Sequence, residues 1–158
     1  MSNELHGRTH YQTLLEARFG ARYNELNEGL YRLLDRAFTA LALLAAAGAF
    51  INLVAKIPGL TEIAGLGIAV AGIIQALMGP GGRSVEHREL GRRFHQLVAR
   101  APSLDVATLD REVNELRAGA PAGFEMLNPV AQNDVLRSAG HEQRVHVNFW
   151  HHLVAFLT

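Results

Sequence analysis

The chain has 158 residues, 15 Lys+Arg against 15 Asp+Glu, eight His and no Cys, and 49% of its residues are hydrophobic. That length suits one domain with a single core, and the lack of cysteine excludes disulfides, thiolate metal sites and a cysteine nucleophile. A formal net charge of zero removes the basic excess of a nucleic-acid binder, so no nucleic acid is expected as a partner.

The apolar residues are unevenly placed, and the elements follow from where they fall. Thr9 with Gln12 three residues on is a capping-box pattern, and Tyr11, Leu15, Phe19, Tyr23, Leu26, Leu30, Leu33 and Ala37 follow at helical spacing. They predict one amphipathic helix of about 27 residues running into the next segment, with Gly20 and Gly29 as weak points. Residues 1–36 are thus expected to be a cytoplasmic amphipathic helix, polar enough that they are no cleavable signal peptide.

Residues 37–55, AFTALALLAAAGAFINLVA, carry no charge. At about 1.5 Å per residue they nearly span a hydrocarbon layer of about 30 Å. Lys56-Ile57-Pro58-Gly59 supplies a turn, and residues 60–78, LTEIAGLGIAVAGIIQALM, match the first stretch in length before Gly79-Pro80-Gly81-Gly82 terminates them. Neither stretch has a polar stripe at helical period, which favours a lipid setting over a soluble core. The expectation is a two-span transmembrane hairpin over residues 37–78. Ala45 with Ala49, Gly65 with Ala69 and Gly67 with Ala71 form small-residue rows at four-residue spacing, suited to close helix packing within the hairpin or between subunits. Asn52, Glu62 and Gln75 are the candidate pore or interface polar groups. Four arginines lie in the 20 residues before the hairpin and four in the 20 after it; by the positive-inside tendency both termini face the cytoplasm. Arg32, Arg36, Arg83, Arg88, Arg92 and Arg93 are candidates for lipid head groups.

Residues 79–158 read as a helical cytoplasmic region. Leu90, Phe94, Leu97 and Val98 mark a helix ending near Arg100, whose stripe is expected to pack on the N-terminal helix. Leu109, Val113 and Leu116 mark a second, capped by Thr108 and closed by Gly119. Asn128-Pro129 starts a third that Gly140 ends, and a last helix is expected from Glu142 to Leu157, with Val145, Phe149, Leu153 and Phe156 on one face. No period-two alternation occurs, so the fold class is all-α.

Chemistry is not legible. His146, His151 and His152 make no i, i+4 pair, His87 and His95 are eight apart, and no H-E-x-x-H or P-loop is present. Asp105, Asp110, Glu112 and Glu115 read as a solvated helix face among arginines, while Glu125 and Asp134 show no partner for acid-base work. No catalytic residue, metal or cofactor is expected, and no enzyme.

The long N-terminal helix, tight apolar hairpin and following arginine-bearing helix, over Ala17 to Arg100, resemble the SLATT-type membrane effectors of prokaryotic conflict systems. Phe124-Glu125-Met126-Leu127 and the run from Gln132 to Gly140 are similar to the tails of small uncharacterised membrane proteins of proteobacteria and their phages. The resemblance implies a homo-oligomeric inner-membrane protein that forms a pore or perturbs the membrane, controlled through its cytoplasmic helices by a cytoplasmic protein or nucleotide signal. Two alternatives stand beside it: a phage-type holin or superinfection-exclusion protein, whose tail would ordinarily be shorter than the roughly 80 residues here, and a soluble helical protein that shelters an apolar hairpin.

Overall fold

The capping box forms as its spacing predicts. In the computed structural model, which describes residues 8–46, 56, 60–142 and 145–148, the Thr9 N–H donates to Gln12 Oε1 at 2.9 Å and the Gln12 N–H to Thr9 Oγ1 at 3.2 Å. The helix it starts, α1 (His10–Ala46), runs 37 residues, about 55 Å, and neither Gly20 nor Gly29 interrupts it. One rod therefore carries both the amphipathic segment and the first ten residues of the apolar stretch. Residues 47–55 and 57–59 lie outside the described set, and Lys56 is exposed in a turn.

The return limb is α2 (Leu60–Met78) followed by α3 (Pro80–Arg100). The expected terminator Gly79-Pro80-Gly81-Gly82 shrinks to one residue. Gly79 adopts φ 52°, ψ 51°, a left-handed geometry that glycine takes without a Cβ penalty, and Pro80, Gly81 and Gly82 already form the first turn of α3. Proline is tolerated there because a first-turn N–H has no intrahelical acceptor to lose.

α1 and α3 pack antiparallel, as expected, over a seam fixed at several levels. His10 meets the Ala101 carbonyl, Asn24 meets His87, and the Ser84 hydroxyl donates to the Glu28 carbonyl. Small residues let the backbones close. A Cβ placed on Gly20 would lie 2.6–2.9 Å from the Phe94 ring, and one on Gly91 would lie 3.4 Å from Asn24 Cβ.

A 3₁₀ turn (Ala101–Ser103) leads to α4 (Val106–Ala118). Its cap is Asp105, not Thr108: the Asp105 carboxylate accepts from the Thr108 N–H at 2.9 Å and from the Thr108 hydroxyl at 2.8 Å. These bonds hold its pKa below the ordinary carboxylate value. After a second 3₁₀ turn (Glu125–Leu127), α5 (Asn128–Ser138) begins directly. Asn128 has helical dihedrals and is no cap, because the preceding turn already delivers the chain in helical direction. Gly140 ends α5 at φ 77° with both bonds of a Schellman motif, His141 N–H to the Leu136 carbonyl and Gly140 N–H to the Arg137 carbonyl. The helix expected from Glu142 does not form at its described positions. Glu142 and residues 145–148 are irregular, and Asn133 grips Val145 by both backbone groups, at 2.7 and 2.8 Å. Residues 149–158 lie outside the described set.

Among the described residues, the buried positions lie in the half of the molecule built by residues 10–36, α3, α4, α5 and the two 3₁₀ turns. One cluster joins α1, α3 and α4 through Ala17, Ala21, Leu90, Phe94, Leu97, Leu109 and Val113. A second joins α1 to α5 through Leu26, Leu127, Val130 and Ala131, with Phe19, Tyr23 and Val147 against them.

Two substitutions test the seam. Phe94→Ala is expected to lower the unfolding free energy by about 3–5 kcal/mol. Gly20→Ala, despite the better helix propensity of alanine, is expected to lower it by about 1–3 kcal/mol through overpacking against Phe94; denaturant unfolding followed by circular dichroism checks both.

Candidate functional site

Above the packed body the same two limbs continue with almost nothing around them. α1 touches α2, and the half-buried positions are Leu34, Asp35, Phe38, Leu41 and Ala45 on α1 and Ile68, Ala71, Gln75 and Met78 on α2. That three-and-four spacing marks one narrow stripe per helix. The other faces are apolar and open: Leu43 is 65% exposed, Leu66 67% and Leu77 82%, whereas Phe94 and Leu97 in the body are each 1% exposed. Among the described residues, one helical stretch, Gly65–Ser103, is long and apolar enough to cross a membrane by length and composition, and 6% of its most apolar window is buried.

The residues singled out by their spacing separate into different roles. Ala45 and Ala71 sit in the half-buried stripe, while Gly65, Gly67 and Ala69 are exposed, and a Cβ on Gly65 or Gly67 would meet nothing within 4 Å. The Gly65/Ala69 row therefore packs on nothing among the described residues, and of the Gly67/Ala71 row Ala71 alone is half-buried. Ala49, Asn52 and the Glu62 side chain lie outside the described set. Gln75 is half-buried in the stripe. The candidate head-group arginines are mostly engaged: Arg32 and Arg88 both reach Glu28, Arg83 pairs with Glu86, and Arg92 and Arg93 share Glu89. Arg36 is exposed and makes no ion pair among the described residues.

Where the bare limbs enter the body, the seam turns polar. Asn24, Asn27, Ser84 and His87 are buried at positions that continue the apolar stripes of Ala17 and Ala21 on α1 and of Leu90 and Phe94 on α3. Each is satisfied locally. The Asn24 amide N–H donates to the Gly20 carbonyl at 2.7 Å, which leaves its Oδ1 facing His87 Nδ1 at 2.7 Å. Asn27 donates to the Tyr23 carbonyl at 2.8 Å and accepts the Phe124 N–H at 2.7 Å. The Tyr31 hydroxyl donates to the Ala122 carbonyl at 3.0 Å, and its ring stacks on His87 at 5.4 Å and 18°. The 119–124 connection is thereby tied across the seam, and Gly123 lies so close that a Cβ there would sit 2.5 Å from Tyr23 Oη and 2.8 Å from Asn27 Oδ1. Among the described residues no buried side-chain nitrogen or oxygen lacks a hydrogen-bond partner.

Sequence spacing missed this junction, although its signal was present: an asparagine or histidine in phase with an apolar stripe is a buried polar group that needs a partner. Asp134, without a visible partner in the sequence, pairs with Arg22 at 2.8 Å across 112 positions. The acidic stretch of α4 is half-buried at Asp110 and Glu112 and tied down there, Asp110 by Arg8 and Glu112 by Arg100. A cleft of about 530 Å³ beside it mixes Arg93, Arg100 and Arg111 with Glu112 and Glu115, so the charges lining it largely cancel. Comparison of the chain with protein-family models, curated proteins and solved structures gives no match.

Asn27→Ala leaves the partly buried Phe124 N–H without its acceptor and is expected to lower stability by about 1–3 kcal/mol. Faster proteolysis within residues 119–124 at unchanged helix content is the measurement that checks it.

Proposed function

We propose that this chain is a bacterial inner-membrane protein. Its two apolar limbs cross the bilayer as a hairpin with both termini in the cytoplasm, and its packed α1–α3–α4–α5 body lies against the inner leaflet. One observation carries this: the same continuous helices that are fully packed in the body leave it bare and apolar on nearly every face. Contiguous apolar surface of that extent is unfavourable in water and favourable in hydrocarbon. A helix that satisfies its own backbone hydrogen bonds meets the second requirement of lipid. Arginines on both limbs where they enter the body suit the cytoplasmic face, with Arg36 exposed, unpaired among the described residues and able to meet a lipid phosphate.

Copies of the chain associate through the outward face of α2, where Gly65 and Ala69, four residues apart, offer a surface on which backbones can approach closely. Such an assembly, controlled by the cytoplasmic body, acts as a membrane-perturbing effector or pore, as the likeness to SLATT-type effectors implies. A pore between these helices would be mostly apolar and gated by wetting. The trigger would be a cytoplasmic protein or a nucleotide signal that engages the body.

The cysteine-free sequence makes single-cysteine chemistry clean. In membranes, Lys56→Cys is expected to react with a membrane-impermeant maleimide only from the periplasmic side, and Asp110→Cys only after the membrane is opened. Ala69→Cys is expected to form disulfide-linked dimers on oxidation. Val70→Arg is expected to weaken insertion by about 2.5–3.5 kcal/mol, read as loss of carbonate-resistant protein. Recovery of the wild-type chain in the soluble fraction without detergent would overturn the proposal, and induced expression that leaves membrane potential unchanged would remove the effector role.

A further inference from the structure

At the base of the limbs, α3 and the 119–124 connection enclose a cleft of about 540 Å³. Arg83, Glu86, Glu89 and Arg93 line it from α3, and Gly119 and Pro121 from the connection. The connection carries no charged or polar side chain and is held in place by Tyr31 at the Ala122 carbonyl and by Asn27 at the Phe124 N–H. That wall is therefore fixed and uncharged, and the charges of the cleft come from α3. Val85 lines it as well and is 59% exposed, an apolar side chain left open among them.

The lining charges are two of each sign, and one pair is loosely held. Arg83 meets Glu86 at 3.1 Å with the two side chains 41% and 55% exposed, and an exposed pair of this kind contributes little. Glu89 is engaged more fully, by Arg92 at 2.8 Å and by Arg93 at 3.7 Å. A ligand bearing an anion for Arg83 and a cation for Glu86 can therefore replace their mutual contact and leave neither side chain unpaired. A purely anionic ligand would satisfy Arg83 while facing the carboxylates of Glu86 and Glu89. Arg83 and Glu86 are neighbours at i, i+3, with Cβ atoms about 5–6 Å apart, a span that an ethylene bridge between phosphate and ammonium covers.

We propose that this cleft holds the head group of a zwitterionic phospholipid of the phosphoethanolamine class, with its phosphate on Arg83 and its ammonium on Glu86. The site rests on the membrane placement proposed above. Depth and order along α3 support it. Arg83 lies five residues past Met78, about 7.5 Å along the axis, within a head-group layer of about 5–8 Å. Glu86 follows about 4.5 Å farther from the hydrocarbon. From its acyl chains outward, a lipid of this class presents phosphate and then ammonium, the same order. Between cleft and limb the way is open: Gly79 and Gly82 are exposed, and a Cβ on either would meet nothing within 4 Å. A glycerol backbone can lie against this turn, with its acyl chains along the bare face of α2. The cleft at Arg100 and Arg111 mixes charge in the same way, but Arg100 lies about 33 Å past Met78, beyond reach of the leaflet.

The test is native mass spectrometry of the full-length protein released from detergent, after incubation with phosphatidylethanolamine or phosphatidylglycerol of identical acyl chains. Wild-type protein is expected to retain the ethanolamine lipid at least about tenfold over the glycerol lipid. Arg83→Gln is expected to lose that retention by a similar factor, and Glu86→Gln to bring the two lipids to parity. Arg111→Gln, in the distant cleft, is expected to behave as wild type. Arg83 and Glu86 lie outside both packed clusters, and unchanged circular dichroism confirms that their variants fold. Equal retention of both lipids by the wild-type chain, or a preference that survives Glu86→Gln, would overturn the site while carbonate-resistant protein keeps the membrane placement intact. Displacement of the lipid by an equal concentration of free phosphoethanolamine would overturn a lipid as the source of the head group. Recovery of the wild-type chain in the soluble fraction would overturn site and placement together.

Discussion

The close antiparallel seam between α1 and α3 is the constraint from which the rest of the structure follows. Gly20 beneath the Phe94 ring and Gly91 against Asn24 bring two backbones near enough for short polar side chains to bridge them. Once that distance is set, α4 and α5 have defined grooves to fill on either side of α1, and the 119–124 connection must cross where Asn27 and Tyr31 can reach its backbone. A wider seam would leave Asn24 and His87 unable to meet, and their burial would cost far more than their hydrogen bonds return.

Two kinds of surface are written into one rod. Up to Arg36, α1 alternates apolar and charged faces, and its apolar face is consumed by two packed clusters. Beyond Ala37 the charges stop while the helix continues, so the surface it presents changes character without any break in its backbone hydrogen bonds. The return limb repeats the change in reverse order, from α2 to α3. This correspondence between limbs, more than the hydropathy of either alone, is what the proposed membrane placement rests on. A soluble core helix would be covered by its own chain, and among the described residues these are not.

Much of this was legible in the sequence because it depends on local rules. The capping box at Thr9, the run from Leu90 to Val98, the stop at Gly140 and the absence of strands among the described residues follow from spacing and turn chemistry that act over a few residues. What escaped depends on distant partners. Asp105 displaced Thr108 as cap because the chain enters α4 one residue after Asp105, and a 3₁₀ turn made Asn128 helical. Arg22 and Asp134 have no relation in sequence, and His87 looked like any surface histidine until α1 was placed against it. The segment after Glu142 carries helical periodicity, but Asn133 captures Val145 through both of its backbone groups, and a strong local competitor outweighs a modest propensity.

The two limbs differ in stiffness. α1 has no interruption from His10 to Ala46, whereas the path from α2 to α3 passes through Gly79, left-handed and followed by a proline that contributes no N–H. The pair resembles a strut beside a jointed arm. Torque applied to the body would be carried along the strut as tilt and rotation, while the arm would absorb part of it at a single hinge. Motion in the lower half would thus reach the upper half as a sliding of one limb past the other, which changes the neighbours of the outward glycines without unwinding either helix.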